Sequence, residues 1–185
     1  MPDADPAALD FLLSRRSHAP KTLKAPAPNR AEMERILTAA MRVPDHGMLA
    51  PWRFVVMAEA ACRRVGAAIL ASGRDQDLEK AAHVWSVTPA CVVVIESPVE
   101  GNIPPVEQTL SAGAACAALV NAALASGWGA GWVSGWAAHD HALMTEVLGI
   151  AERERVAGFV HIGTEGAAPA ERARPTLADK VEWRT

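Results

Sequence analysis

Apolar positions along the chain recur at helical spacing in some stretches and run without interruption in others. Asp5 and Pro6 offer a cap and a first-turn residue, and Leu9, Leu12 and Leu13 follow on one face, which predicts a first helix. A second helix is better marked. Asn29 and Glu32 have capping-box spacing, Met33, Ile36, Leu37 and Ala40 share one stripe, and Pro44 sets the stop. Beyond a loop at 43–53, a strand is expected over 54–57, then helical pieces over 59–85 with a polar break near 73–77. The continuous apolar run "ACVVVIE" at 90–96 predicts a strand buried on both faces.

The strongest helical pattern covers 107–126. Between 112 and 125 the one clearly polar side chain is Asn121, and Gly127 supplies a C-terminal stop. This stretch falls short of the ~20 apolar residues of a membrane span and is rich in alanine. A helix apolar all round belongs in a core or an oligomer interface, and Gly113 and Ala117 permit close backbone approach. A further helix is expected over 139–148, ending at Gly149, then a strand at "VAGFVHIGT" (156–164) and an irregular tail containing arginines. With no repeat and no linker, residues 1–185 read as a single domain.

Composition narrows the class. Half of the residues are hydrophobic and the net charge is -3, which suits a soluble globular protein and offers no basic surface for nucleic acid. The start "MPDADPAALDFLLSRR" is acidic ahead of a short apolar patch, the wrong order for a secretory signal. Cys62, Cys91 and Cys116 are odd in number and sit among apolar residues, so reduced, packed thiols in a cytoplasmic protein are expected.

Three stretches carry candidate chemistry. Arg15, Arg16 and Ser17 close the first helix, where two guanidiniums and a hydroxyl can hold a phosphate or the polar edge of a heterocycle. Cations there also favour the helix dipole without any ligand. The loop "VPDHGMLAPWRF" (43–54) follows Arg42 and contains Asp45, His46 and Trp52, residues that a mere turn does not require. Arg42 and His46 could converge on a ligand with the first-helix arginines. No second histidine near His46 has ligand spacing, and "HDH" at 139–141 points its histidines to different helix faces, so no metal is expected. "GWGAGWVSGW" (127–136) suggests backbone passing close to something flat, or tryptophans filling a core at the start of a strand. Its GxGxG spacing follows a helix, which excludes the Rossmann context.

In this order, the motifs resemble the flavin-dependent nitroreductase family, and most closely its short NAD(P)H nitroreductase branch. The resemblance runs from about Leu9 to Trp183. It implies an α+β, three-layer α/β/α fold in which helices wrap a central, mainly antiparallel sheet. It also implies an intertwined homodimer with FMN at the interface, the tail from about 165 to 185 crossing onto the partner. Arg15, Arg16 and Ser17 then match the start of the FMN site, and Arg42 and His46 become flavin contacts. Trp132, Val133, Ser134 and Gly135 match the segment beside the reactive ring edge, with the Gly135 N–H near flavin N5. Arg172 and Arg174 resemble the basic pair on the phosphate. Ala122, Ala123, Leu124, Ala125, Ser126 and Gly127 correspond to a stretch associated with NAD(P)H. The chain departs from the family pattern at Ala50, where glutamine is usual, and at Val133 and Ala19, where basic residues are common; Lys21 is a substitute for the last.

The resemblance implies an oxidoreductase in which flavin, rather than a side-chain dyad, carries the reaction. NADH or NADPH would deliver hydride and leave, and a nitroaromatic, quinone or related small acceptor would take the same place, a ping-pong scheme. A flavin-binding protein without enzymatic activity is the alternative on the same fold.

Overall fold

The computed structural model describes residues 3–73 and 77–184. Part of the expected polar break, residues 74–76, lies outside the described residues. Helix α1 (Pro6–Ser14) starts where expected, with the Asp5 carboxylate accepting from Ala8 N at 3.1 Å. Helix α2 (Arg30–Ala40) carries the full capping box of Asn29 and Glu32 and buries Met33, Ile36 and Ala40. Between them lies a two-residue strand, β1 (Leu23–Lys24), which is too short for periodicity to reveal.

The expected strand at 54–57 is longer, β2 (Trp52–Ala58), because its backbone pairs with β3 (Ala90–Glu96) from Trp52↔Glu96 to Ala58↔Ala90. Helices α3 (Glu59–Ser72) and α4 (Leu78–Val87) fill the interval between these strands. The long helix is α5 (Pro105–Ala125), and β4 (Gly129–Val133) follows it. Two short helices come next, α6 (Gly135–His139) and α7 (His141–Leu148), so "HDH" spans the junction of two helices instead of two faces of one. Strand β5 (Arg155–Glu165) precedes the tail, which contains one helical turn, α8 (Leu177–Lys180).

β5 is the hub of the sheet. It pairs antiparallel with β3 on one side and with β4 and β1 on the other, and β2 closes the β3 edge. Helices α3, α4, α6 and α7 cover one face around Val93, Ile95, Trp85 and Phe159. The other face, with Val92, Val94, Val160 and Ile162, is covered by α2 and α5. This is the expected three-layer arrangement, and it explains β3: a strand with helices on both faces has no polar side. Its terminal Glu96 is buried too, gripped by Arg155 Nε at 2.5 Å and Thr109 Oγ1 at 2.8 Å.

At 21 residues, with an 18-residue window of mean hydropathy 1.3, α5 is long and apolar enough to cross a membrane by length and composition alone. Instead its inner side, with Ala112, Ala115, Cys116, Leu119 and Ala123, packs on the sheet. Its outer side leaves Val106 and Leu110 exposed. The three cysteines are free and buried, and burial pushes the Cys62 thiol up to about 11 and Cys116 to about 12.

Two glycines explain much of the Gly/Trp motif. A Cβ on Gly131 would collide with the backbone carbonyl of His18, and one on Gly158 with the indole of Trp132, which lies over it. Backbone has little room to move, so Gly131→Ala is expected to destabilise the protein by about 1–3 kcal/mol, the usual range for overpacking. Urea unfolding checks this; an unchanged midpoint would show that the segment around His18 yields freely.

His161 is fully buried on β5. Thr88 Oγ1 donates to Val84 O at 2.6 Å, so at 2.9 Å from His161 Nδ1 it is left to accept that ring N–H. Burial holds the imidazole down at about 4. A histidine depressed in the folded state binds its proton more readily when unfolded, so stability falls as pH drops from about 6.5 to about 4. The slope is expected to approach ~1.4 kcal/mol per pH unit in that window and to be largely lost in His161→Phe. Melting both proteins between pH 4 and 7 tests it, and parallel curves would rule it out.

Candidate functional site

Helix α1 ends at Arg15, whose extended backbone (φ -56°, ψ 140°) sends the chain toward β4. There His18 N donates to Ala130 O at 2.8 Å. This junction carries the preceding Arg15, Arg16 and Ser17 to the neighbourhood of the β4 edge. The tail leaving β5 returns to the same place. Arg15, Arg16, Ser17, Arg172 and Arg174 together line a cavity of about 170 Å³.

Electrostatically this cavity is one-sided. Arg15 Nη2 donates to Ser17 Oγ at 2.7 Å, but its Nε is buried without a partner. Burial first, then the neighbouring Arg174 and Arg16, hold the Arg15 guanidinium below the usual arginine range. Arg16 is more engaged, with Nη1 2.5 Å from Glu171 Oε2 and Nη2 donating to the Ala170 carbonyl. Among the described residues, four guanidiniums facing one carboxylate, with a buried N–H left over, suit an added anion. Planar forks and a hydroxyl are the donor set that fits phosphate oxygens. Residues more than 150 positions apart are thus brought together in one cavity.

The segment Trp132 to Gly135 divides across the sheet. Trp132 is 43 % exposed, faces α5 and shares a cavity of about 610 Å³ with Leu110, Gly113 and Arg155. Val133, Ser134 and Gly135 line a separate cleft of about 200 Å³ with Pro20, Trp136 and His161. Gly135 has φ 71°, a left-handed turn that redirects the backbone from β4 into α6 and suits glycine.

The loop after α2 takes a different course from the one expected. Gly47, Met48 and Ala50 all have positive φ (74°, 54° and 45°), so the loop is tightly and unusually coiled. Asp45 Oδ2 accepts from Ala50 N at 2.7 Å, and Ser111 on α5 donates to Pro44 O at 2.8 Å while accepting from Trp52 Nε1 at 3.1 Å. His46 Nδ1 lies 2.5 Å from Glu107 Oε2. These contacts bind the loop to the first half of α5. Arg42 is exposed at the end of α2, and His46 lines a cleft with Glu107 and Leu110. Within one chain, therefore, neither joins the cavity of Arg15 and Arg16, and the expected convergence is absent.

The 122–127 stretch forms the last turn of α5 and its exit. Ala123 is fully buried, Ala122 and Leu124 are half-buried, and Ala125, Ser126 and Gly127 are exposed. The Ser126 hydroxyl donates back to Ala122 O at 2.8 Å. The most accessible part of this stretch is the rim at 125–127. Sequence reasoning passed over Pro20 and His161 in the cleft and Glu171 at the arginine cavity. His161 had one available signal, a lone ionisable residue inside an apolar strand; Pro20 and Glu171 had none, because loop and tail contacts leave no periodicity.

Comparison with known proteins gives the family and the fold. The model of the Nitroreductase family matches residues 12–164. A Haemophilus influenzae protein named "Putative NAD(P)H nitroreductase" is 39% identical over 173 residues, spanning 89% of this chain and 91% of its own. Among solved structures, a nitroreductase-like family protein from Bacillus cereus superimposes with a TM-score of 0.84 at 23% identity, covering 99% of this chain and 98% of its own. A nitroreductase with bound FMN from Bacteroides fragilis does so with a TM-score of 0.71 at 19% identity, covering 96% and 98%. The matched segment runs from α1 nearly to the end of β5 and includes the first-helix arginines, the loop and the Gly/Trp turn, so the chain belongs to the nitroreductase family.

Proposed function

We propose that the protein is an FMN-dependent NAD(P)H oxidoreductase acting on nitroaromatics, quinones or related small acceptors by a ping-pong scheme. The observation that carries this reading is the arginine cavity, with the unpartnered Arg15 Nε, in a chain of the nitroreductase family. When bound, FMN supplies the hydride chemistry, accepting from NADH or NADPH and passing reducing equivalents to the acceptor. Arg15, Arg16, Ser17, Arg172 and Arg174 hold its phosphate. The turn at 133–135 borders the ring and offers the Gly135 N–H to its reacting edge, while the rim at 125–127 meets the nicotinamide nucleotide.

The working unit is a homodimer with the flavin at its interface and the tail reaching across to the second copy. Its support is apolar surface that one chain leaves open. α1 buries none of its residues, and Leu13 is 77 % exposed; Leu110 on α5 is 67 % and Trp183 in the tail 81 %. Side chains of this size are usually covered when they cluster. In such a dimer, Arg42 and His46 reach the flavin bound by the other chain, which gives their exposure a use. Free, buried thiols accord with a cytoplasmic setting.

The purified protein is expected to release FMN, not FAD, on acid treatment, and to oxidise NAD(P)H steadily when an acceptor from a nitroaromatic and quinone panel is added. Bound FMN without turnover would make it a flavin-binding protein instead. Light scattering should show a dimer at micromolar concentration; a flavin-loaded monomer contradicts the assembly. Arg15→Ala removes a charge-assisted hydrogen bond worth roughly 1.5–3 kcal/mol, so FMN affinity should weaken about ten- to a hundredfold. Titrating FMN into apo-protein measures it, and unchanged affinity would take Arg15 out of the site.

A further inference from the structure

Glu171 is the one carboxylate seen against the arginine cavity among the described residues, and its contacts set it apart from an ordinary surface acid. Its Oε2 lies 2.5 Å from Arg16 Nη1, and its Oε1 accepts the backbone N–H of Arg172 at 3.0 Å. The partners differ in burial: the Arg16 side chain is 18 % exposed and that of Glu171 is 76 %. The cation is part of the cavity wall, whereas the anion that pairs with it is largely exposed to water. The tail does not depend on it for attachment, because Arg16 Nη2 also donates to the Ala170 carbonyl.

We propose that Glu171 is an internal anion that occupies Arg16 until a phosphate monoester displaces it, and so sets the affinity and selectivity of the cavity. This inference rests on the assignment of the arginine cavity to the phosphate of FMN. A phosphate monoester carries close to two negative charges at neutral pH and three acceptor oxygens. It can satisfy Arg15 Nε and take over Arg16 together, which a single carboxylate held by Arg16 and Arg172 does not do. Removing the carboxylate's charge frees Arg16 and removes repulsion between two anions that share one set of donors. Ligands without a phosphate neither gain nor lose from its presence.

The experiment compares wild type, Glu171→Gln and Arg15→Ala as full-length apo-proteins, each titrated with FMN and with riboflavin. Glu171→Gln is expected to bind FMN about two- to fivefold more tightly, the range set by breaking an exposed ion pair. Riboflavin affinity should be unchanged. Raising salt should narrow the difference between the two proteins. If Glu171→Gln binds FMN equally or more weakly while Arg15→Ala binds it more weakly, Glu171 is a strut that positions Arg16 and the proposal is overturned. If Arg15→Ala leaves FMN affinity unchanged, the assignment of the cavity fails and the proposal falls with it. A melting curve of Glu171→Gln without flavin confirms that the variant is folded.

Discussion

The hydrogen bond from His18 N to Ala130 O is the junction on which the site depends. It attaches the segment after α1 to the side of β4 that β5 does not use, and Gly131 makes the approach possible by having no side chain there. An uncovered strand edge would leave backbone groups exposed to other chains. Covering part of it with the His18 segment instead serves two ends. The sheet margin is protected, and the arginines that precede His18 are brought beside those of the tail.

From that junction the charge distribution follows. The tail leaves β5 beside β1 and brings Arg172 and Arg174 to Arg15 and Arg16, so four cations meet with Glu171 as their one carboxylate among the described residues. Like charges this close oppose one another, and burial of Arg15 increases the cost. The fold tolerates the arrangement because β5, paired on both sides and covered by helices, holds its position independently. Two other arginines are matched: Arg53 clamps Glu154 through two hydrogen bonds of 2.7 Å, and Arg155 clamps Glu96.

The two faces of the sheet have separate duties. The α3, α4, α6 and α7 side is a closed core around Trp85, whose ring meets Phe159 edge-on at 4.8 Å and His161 at 5.0 Å. The cleft at 133–135 opens from this side. The α5 side buries only half of its longest helix and holds the 43–50 loop on the same helix through Ser111 and Glu107. A loop coiled through three positive-φ residues and tied to a half-exposed apolar helix suits a surface that faces another chain.

The sequence by itself determined the elements whose signals are local. Asp5, the Asn29–Glu32 box and Gly149 each act within one helical turn, and the apolar runs at 90–96 and 156–164 commit their residues to a buried strand wherever the neighbours lie. It also marked the arginines as candidates, because guanidiniums beside a serine can hold an anion, although cations at a helix end also suit the dipole without a ligand. Only the tertiary structure decided that 129–133 is a strand, since its glycines and tryptophans suit either backbone passing close to something flat or the start of a strand until β5 supplies partners along its length. Nor could the sequence keep His46 away from Arg15, which took Ser111 and Glu107, more than sixty residues downstream, to accomplish. Periodicity and caps report interactions a few residues apart; a contact such as His18 with Ala130, 112 residues apart, leaves no repeating pattern in either partner and exists only once the chain has closed on itself.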